Sequence, residues 1–155
     1  MHASAIRRIR GRLRLVGPGL CRTAENMVVR GGARLVAGRL IGEDIPPIDT
    51  LRLGFAREAG DPEIAALTPP DPPLDDELLS APVAPDSFAV TEDLDGLVRI
   101  SVAAEFEPGE SLSGVSEAGL FAGDRLYNHV LFEPVDLTAG QRVTFFWDID
   151  IPFGD

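Results

Sequence analysis

Arg142–Phe153, with the sequence RVTFFWDIDIPF, decides the fold of this chain. Apolar side chains occupy every second position, which is the period of a β-strand with one buried face. That face would carry Val143, Phe145, Trp147, Ile149, Ile151 and Phe153. Thr144, Asp148 and Asp150 fall on the opposite face, which we expect to meet solvent. The alternation therefore predicts a long strand whose inner face belongs to the core.

Further strand patterns precede this segment. Phe88–Thr91 and Leu97–Phe106 flank Asp95-Gly96, a dipeptide favoured in tight hairpins. Val115–Phe121 and Leu126–Phe132 follow, with a glycine turn between them. Strands at hairpin spacing predict a mainly β fold, built as an antiparallel sandwich or meander.

One helix is predicted in the N-terminal region, near residues 24–41, where it would pack on the sheet. Gly42 suits the position just past a helix end. The expected buried face of this helix consists of Ala33, Val36, Ala37 and Leu40.

Residues 56–85 are rich in proline and in acidic side chains, and they predict a long surface loop with a helical turn near Asp75–Leu79. The expected organisation is a basic N-terminal arm or strand over residues 1–20, followed by a single β-rich domain over residues 21–155.

Charge is divided sharply along the chain. Residues 1–42 hold nine arginines and one acidic residue, a net charge of +8, whereas residues 43–155 hold five arginines and 24 acidic residues, a net charge of −19. Together they give the formal net charge of −11. A basic segment joined to an acidic body either binds an external polyanion or packs on a neighbouring copy.

Ile6–Val16 alternates between apolar residues and arginines, as in a strand with one cationic face. The candidate interface residues on that face are Arg8, Arg10, Arg12 and Arg14. Nucleic acid is not expected as the partner, because the rest of the chain is acidic and no aromatic residues interleave with the arginines. A contact with a neighbouring subunit is the favoured interpretation, and a strand paired within the same chain remains the alternative.

Patterns typical of enzymes and metal sites are missing from the sequence. His2 and His129 lack ligand spacing, and a single cysteine cannot build a structural zinc site. Asp148 and Asp150 are interpreted as a solvated face, and His129 as a hydrogen-bonded structural residue rather than a general base. Cys21 is expected to be buried or inert. We therefore expect no catalytic residue, no metal and no cofactor. No apolar run is long enough to suggest a membrane partner.

Three segments resemble small virion proteins of tailed phages, of the tail, fibre and collar type. They are Val115–Phe121 (VSEAGLF), the closing FFWDIDI of Phe145–Ile151, and the helix region that begins at Asn26-Met27-Val28-Val29 and contains Gly32. Leu53-Gly54-Phe55 stands where that group has a similar glycine motif. The long proline-rich loop and the arginine-rich first 20 residues depart from the pattern.

The resemblance implies a non-catalytic structural component of a phage virion or phage-like particle, such as a tail, baseplate, fibre or capsid-surface protein. Its expected partners are other virion proteins and copies of itself in a homo-oligomer. Its expected location is the virion, assembled in the host cytoplasm. The alternative is a binding module for cell-surface glycans, which exposed aromatic residues on the loops would favour.

Overall fold

The computed structural model describes residues 8–58 and 60–154. Within them the chain forms ten β-strands, one α-helix, α1 (Arg30–Leu40), and short 3-10 helices at Asp76–Leu79 and Pro85–Ser87. The strands are β1 (Arg10–Gly17), β2 (Leu20–Val28), β3 (Thr50–Gly54), β4 (Ser80–Pro82), β5 (Phe88–Leu94), β6 (Leu97–Phe106), β7 (Leu112–Ala122), β8 (Arg125–Leu126), β9 (Asn128–Leu137) and β10 (Val143–Pro152). Neither α1 nor the 3-10 helices are long and apolar enough to cross a membrane.

All ten strands form one antiparallel sheet that curls around the core. The strand order is β4-β3-β7-β9-β2-β1-β10-β6-β5, and β8 pairs with β7 outside this path. The curl brings β4 close to β6 from the other end of the order. The prediction of a mainly β, antiparallel fold with a single helix is confirmed.

β10 lies within the sheet, paired with β1 on one side and β6 on the other. Trp147 is fully buried between Leu13 and Val102, its partners in the two neighbouring strands. Its indole Nε1 donates a hydrogen bond to Asn26 Oδ1 at 3.2 Å. The predicted inner face is confirmed from Val143 to Ile149. The last two residues of that face, Ile151 and Phe153, are exposed.

β1 is a central strand, which corrects the prediction of an arm that adds to a neighbouring subunit. Arg10–Gly17 pairs with β2 and with β10 of the same chain, so both edges of its backbone are already hydrogen-bonded. The intramolecular alternative is therefore the correct one for this strand. The predicted boundary at residue 20 would separate β1 from β2, although the two strands are paired. Residues 1–7 of the predicted arm lie outside the described residues.

α1 begins six residues later than predicted, because Leu20–Val28 forms β2 instead. Its buried residues are Gly32, Leu35 and Gly38, whereas Leu40 of the predicted face is 82% exposed. The helix approaches the sheet through glycine: a β-carbon on Gly32 would lie 1.9 Å from the backbone oxygen of Tyr127. Because glycine has no side chain, the hydrophobic periodicity of the sequence does not reveal a helix face made of glycines.

The predicted C-terminal end of the helix is confirmed. Gly42 has φ of +81°, the left-handed conformation that favours glycine. Its N–H bonds to the oxygen of Arg39, and the N–H of Glu43 bonds to the oxygen of Gly38. These two bonds satisfy carbonyl groups that a helix end would otherwise leave without a partner.

The proline-rich segment is partly built into the fold. The predicted helical turn is present as the 3-10 helix Asp76–Leu79. The following residues, which were expected to be loop, form β4 and pair with β3. Leu79, Ala81 and Val83 are buried against the core. The segment therefore supplies core side chains as well as surface.

We predict that Trp147→Ala lowers the free energy of unfolding by about 3–5 kcal/mol, because it leaves a large cavity in the buried core. Phe146→Ala is the matched control, since Phe146 lies on the opposite face of β10 and is 37% exposed. The control should cost about 1 kcal/mol or less. Denaturant unfolding of the purified variants measures both values, and equal losses would contradict the burial of Trp147.

Candidate functional site

The β7–β9 pair is buried on both faces of the sheet along the second half of β7 and the first residues of β9. Its inner face lines the main core, and its outer face is covered by Val29 and by the loop after β3. Ile64 and Leu67 of this loop pack on Val29, Phe121 and Leu126. Polar side chains on the covered face are therefore removed from solvent.

Two ionisable side chains lie on the covered face. Glu117 of β7 is 1% exposed and His129 of β9 is 3% exposed. His129 Nε2 is hydrogen-bonded to Glu117 Oε2. The other carboxyl oxygen, Oε1, accepts a hydrogen bond from the backbone N–H of Thr68 at 2.6 Å. A buried carboxyl group is tolerated when its oxygens have such partners.

Glycines provide the space that this pair needs. Gly54 of β3 is paired with Glu117, and a β-carbon on Gly54 would lie 2.1 Å from Glu117 Oε1. Gly60 of the loop lies over the imidazole ring, where a β-carbon would be 2.3 Å from His129 Nδ1. The sequence therefore places glycine where the strand and the loop each meet the pair.

Both ends of the loop, residues 55–68, are held by hydrogen bonds beside Glu117. The N–H of Phe55 donates to the oxygen of Thr68 at 2.9 Å, which closes the segment 55–68 on itself. The hydroxyl of Ser116 donates to the oxygen of Ala56. Together with the bond from Thr68 to Glu117, these contacts anchor the loop to β7.

An imidazole bonded to a carboxyl group could orient a general base, but nucleophilic catalysis also needs a hydroxyl or thiol in hydrogen-bond reach of the imidazole. Glu117 is the only hydrogen-bond partner found for His129 among the described residues. The nearby Ser116 hydroxyl is directed to a backbone oxygen instead. The geometry supports an anchoring role for the pair.

An open groove of about 1420 Å³ runs beside the loop. Glu117 and His129 contribute to its lining, yet their side chains are only 1% and 2% exposed. A ligand in the groove would therefore meet the loop before it met the pair. In the described part of the chain, no group of three or more His, Cys, Asp or Glu side chains is arranged to hold a metal ion.

Sequence reasoning found one half of this pair. The interpretation of His129 as a hydrogen-bonded residue is confirmed, but its partner Glu117 was missed. The available signal was a single acidic residue inside the apolar run VSEAGLF. Lone charges in such runs are rarely buried without a partner.

The predicted arginine row lies on the outer face of the sheet. Arg8, Arg10, Arg12 and Arg14 are all exposed. Arg10 is in register with Asp150, and Arg12 lies between Asp148 on β10 and Glu25 on β2. Acidic side chains of the same sheet thus offset part of the charge of this row.

Asp148 and Asp150 occupy the predicted outer face of β10. Arg99 of β6 holds Asp150 through two hydrogen bonds of 2.6 and 3.0 Å, and this contact lowers the pKa of the Asp150 carboxyl group. Asp148 accepts a hydrogen bond from the Ser101 hydroxyl at 2.8 Å. The two acids are therefore engaged in contacts between strands.

Two further side chains complete the outer face. The guanidinium carbon of Arg14 lies 4.6 Å from the centre of the Phe146 ring, within the range of a cation–π contact. Cys21 at the start of β2 is exposed, so of the expectation that it is buried or inert, burial is wrong and inertness stays a prediction.

We predict that Glu117→Ala lowers the free energy of unfolding by about 3–5 kcal/mol, because it leaves a buried imidazole and a backbone N–H without their partner. The segment 55–68 should then become the first site cut in limited proteolysis. Glu117→Gln, which keeps an acceptor oxygen, should have an intermediate effect. Glu110→Ala, at an exposed position before the same strand, is the control. Unchanged protease resistance in Glu117→Ala would contradict the anchoring role.

The buried Tyr127 makes stability depend on pH in the alkaline range. Burial raises the pKa of its phenol to about 12, from an ordinary value of 10.0. This contribution to stability is complete below pH 10 and is lost as pH rises towards 12, a loss of up to about 3 kcal/mol. Tyr127→Phe should remove this part of the alkaline loss. Because Tyr127 is the only tyrosine, phenolate absorbance follows its titration directly.

Comparison of the chain with protein-family models, with curated proteins and with solved structures finds no match in any of the three.

Proposed function

We propose that this chain is a non-catalytic structural component of a phage virion or phage-like particle, as a tail, baseplate, fibre or capsid-surface protein. It acts through contacts with copies of itself and with other virion proteins, in a virion assembled in the host cytoplasm. The proposal rests on the resemblance of its sequence segments to tailed-phage virion proteins and on the role that those segments have in the fold.

The observation that carries the proposal concerns the segments that resemble phage virion proteins. Residues in these segments hold the strands and the helix of the fold together. Asn26 accepts the hydrogen bond of the Trp147 indole. Gly32 lets α1 approach Tyr127, and Gly54 makes room for Glu117. These residues come from separate parts of the chain and stabilise one another's elements. A motif that fixes a framework is what a structural subunit needs.

The outer face of the sheet carries exposed arginines, which suit a contact with another subunit. Arg10, Arg12 and Arg14 project from β1, which is paired on both sides, and Arg8 lies just before this strand. Arg10, Arg12 and Arg14 have no ion pair within 4.0 Å among the described residues, although acids lie in register with Arg10 and Arg12. Exposed guanidinium groups can therefore still bind carboxylates of a neighbouring subunit.

The proposal is tested on particles purified from the source by density gradient. We expect mass spectrometry to find the chain in fixed stoichiometry with other particle proteins, and labelled antibodies to mark one region of the particle. In complementation, Arg12→Gln/Arg14→Gln should incorporate less well than wild type. The control Arg57→Gln/Arg125→Gln removes the same charge from exposed positions elsewhere.

Absence of the wild-type chain from purified particles would overturn the proposal. Turnover in esterase, glycosidase or phosphatase panels that is lost on His129→Gln or Asp148→Asn would overturn the non-catalytic assignment. Specific binding on a glycan array by a chain that particles lack would favour a glycan-binding module instead.

A further inference from the structure

The inner face of the sheet continues past the core at one end. Ile149 is buried, but Val90, which is joined to it through Ile100 in register, is 64% exposed. The next position along β10, Ile151, is 36% exposed, and Phe153 beyond it is 55% exposed. We refer to this apolar area as the open end; its residues are Val90, Val98, Ile100, Ile151 and Phe153.

β5, which borders the open end, is the last strand of the sheet. It pairs only with β6, in regular register over Phe88–Thr91. The backbone groups on its other edge point away from the sheet, and residues 89–93 are exposed. A free edge beside an exposed apolar face is the arrangement that accepts an added strand.

Acidic side chains border this edge. Glu92 and Asp93 on β5 and Asp95 in the following turn are exposed, and none has an ion-pair partner among the described residues. Pairing β5 with the β5 of a second copy would bring these acids together, which is unfavourable. The charge of the edge is complementary to a segment that carries cations.

We propose that the open end and the free edge of β5 take up an extended segment of a neighbouring virion protein, in which apolar residues alternate with arginine or lysine. The segment adds to β5 as a strand, its apolar residues pack beside Val90 at the rim of the open end, and its cations lie near Glu92 and Asp93. This names the partner chemistry of the assembly proposed above and rests on it.

The experiment measures binding of short fluorescent peptides to the full chain by anisotropy. The probe is a synthetic peptide in which isoleucine alternates with arginine. One control peptide has serine in place of isoleucine, which tests attraction to the acidic chain alone. Another has glutamate in place of arginine, and a third has N-methyl groups on the backbone amides that would pair with β5.

We expect the isoleucine–arginine peptide to bind, and each control peptide to bind at least about tenfold more weakly. Val90→Asp should weaken binding about tenfold, whereas Leu40→Asp, at an exposed apolar residue of α1, should not. Glu92→Gln/Asp93→Asn should weaken binding more than Glu110→Gln/Asp124→Asn, which removes the same charge at exposed positions elsewhere. Added salt should weaken binding.

Absence of binding overturns the inference, as does equal binding of the serine–arginine peptide or equal loss in Val90→Asp and Leu40→Asp. Equal binding of the N-methylated peptide overturns strand addition. Dimers that form through β5 would show that a second copy is the occupant, and would also overturn it. If particles contain the chain but the purified chain fails to bind the probe, the proposed function stands and only this inference falls.

Discussion

A buried carboxyl group needs a partner for each of its oxygens, and the covered side of this sheet is arranged around that need. Glu117 is held by His129 from the neighbouring strand and by Thr68 from the loop. Gly54 leaves the space that its side chain occupies. Since the penalty for an unpaired buried polar group exceeds the net gain of most single contacts, strand and loop must take these positions together. The pair thus defines where the loop lies.

The sequence predicted best those strands that have one side buried in the core and the other side facing solvent. β6 and β10 alternate in that way, and their prediction is confirmed. Alternation does not distinguish a central strand from an edge strand. The sequence therefore indicated that β1 is a strand but not its position in the sheet. The helix was displaced because its contact face is made of Gly32 and Gly38, which carry no hydrophobic signal.

The candidate site was harder to foresee for a related reason. Val115–Ala122 is buried on both faces, so neither period nor polarity indicates which side chains meet a partner. His129 could be assigned a structural role from its neighbours, but Glu117 is brought to it only by the pairing of β7 with β9. The covering loop is joined to Glu117 through a backbone group, and backbone groups have no sequence signature.

The place of β1 in the sheet has a consequence for how the chain folds. β1 near one end of the described chain pairs with β10 near the other, so the two halves of the sheet join only after a long-range contact forms. A topology dominated by such non-local pairing has a high contact order, and its folding is expected to take milliseconds to seconds. During synthesis, the apolar faces of β1 and β6 stay without their shared neighbour until β10 has left the ribosome. Chaperones that shield apolar strands would therefore raise the yield of this protein more than they would for a helical domain of the same size.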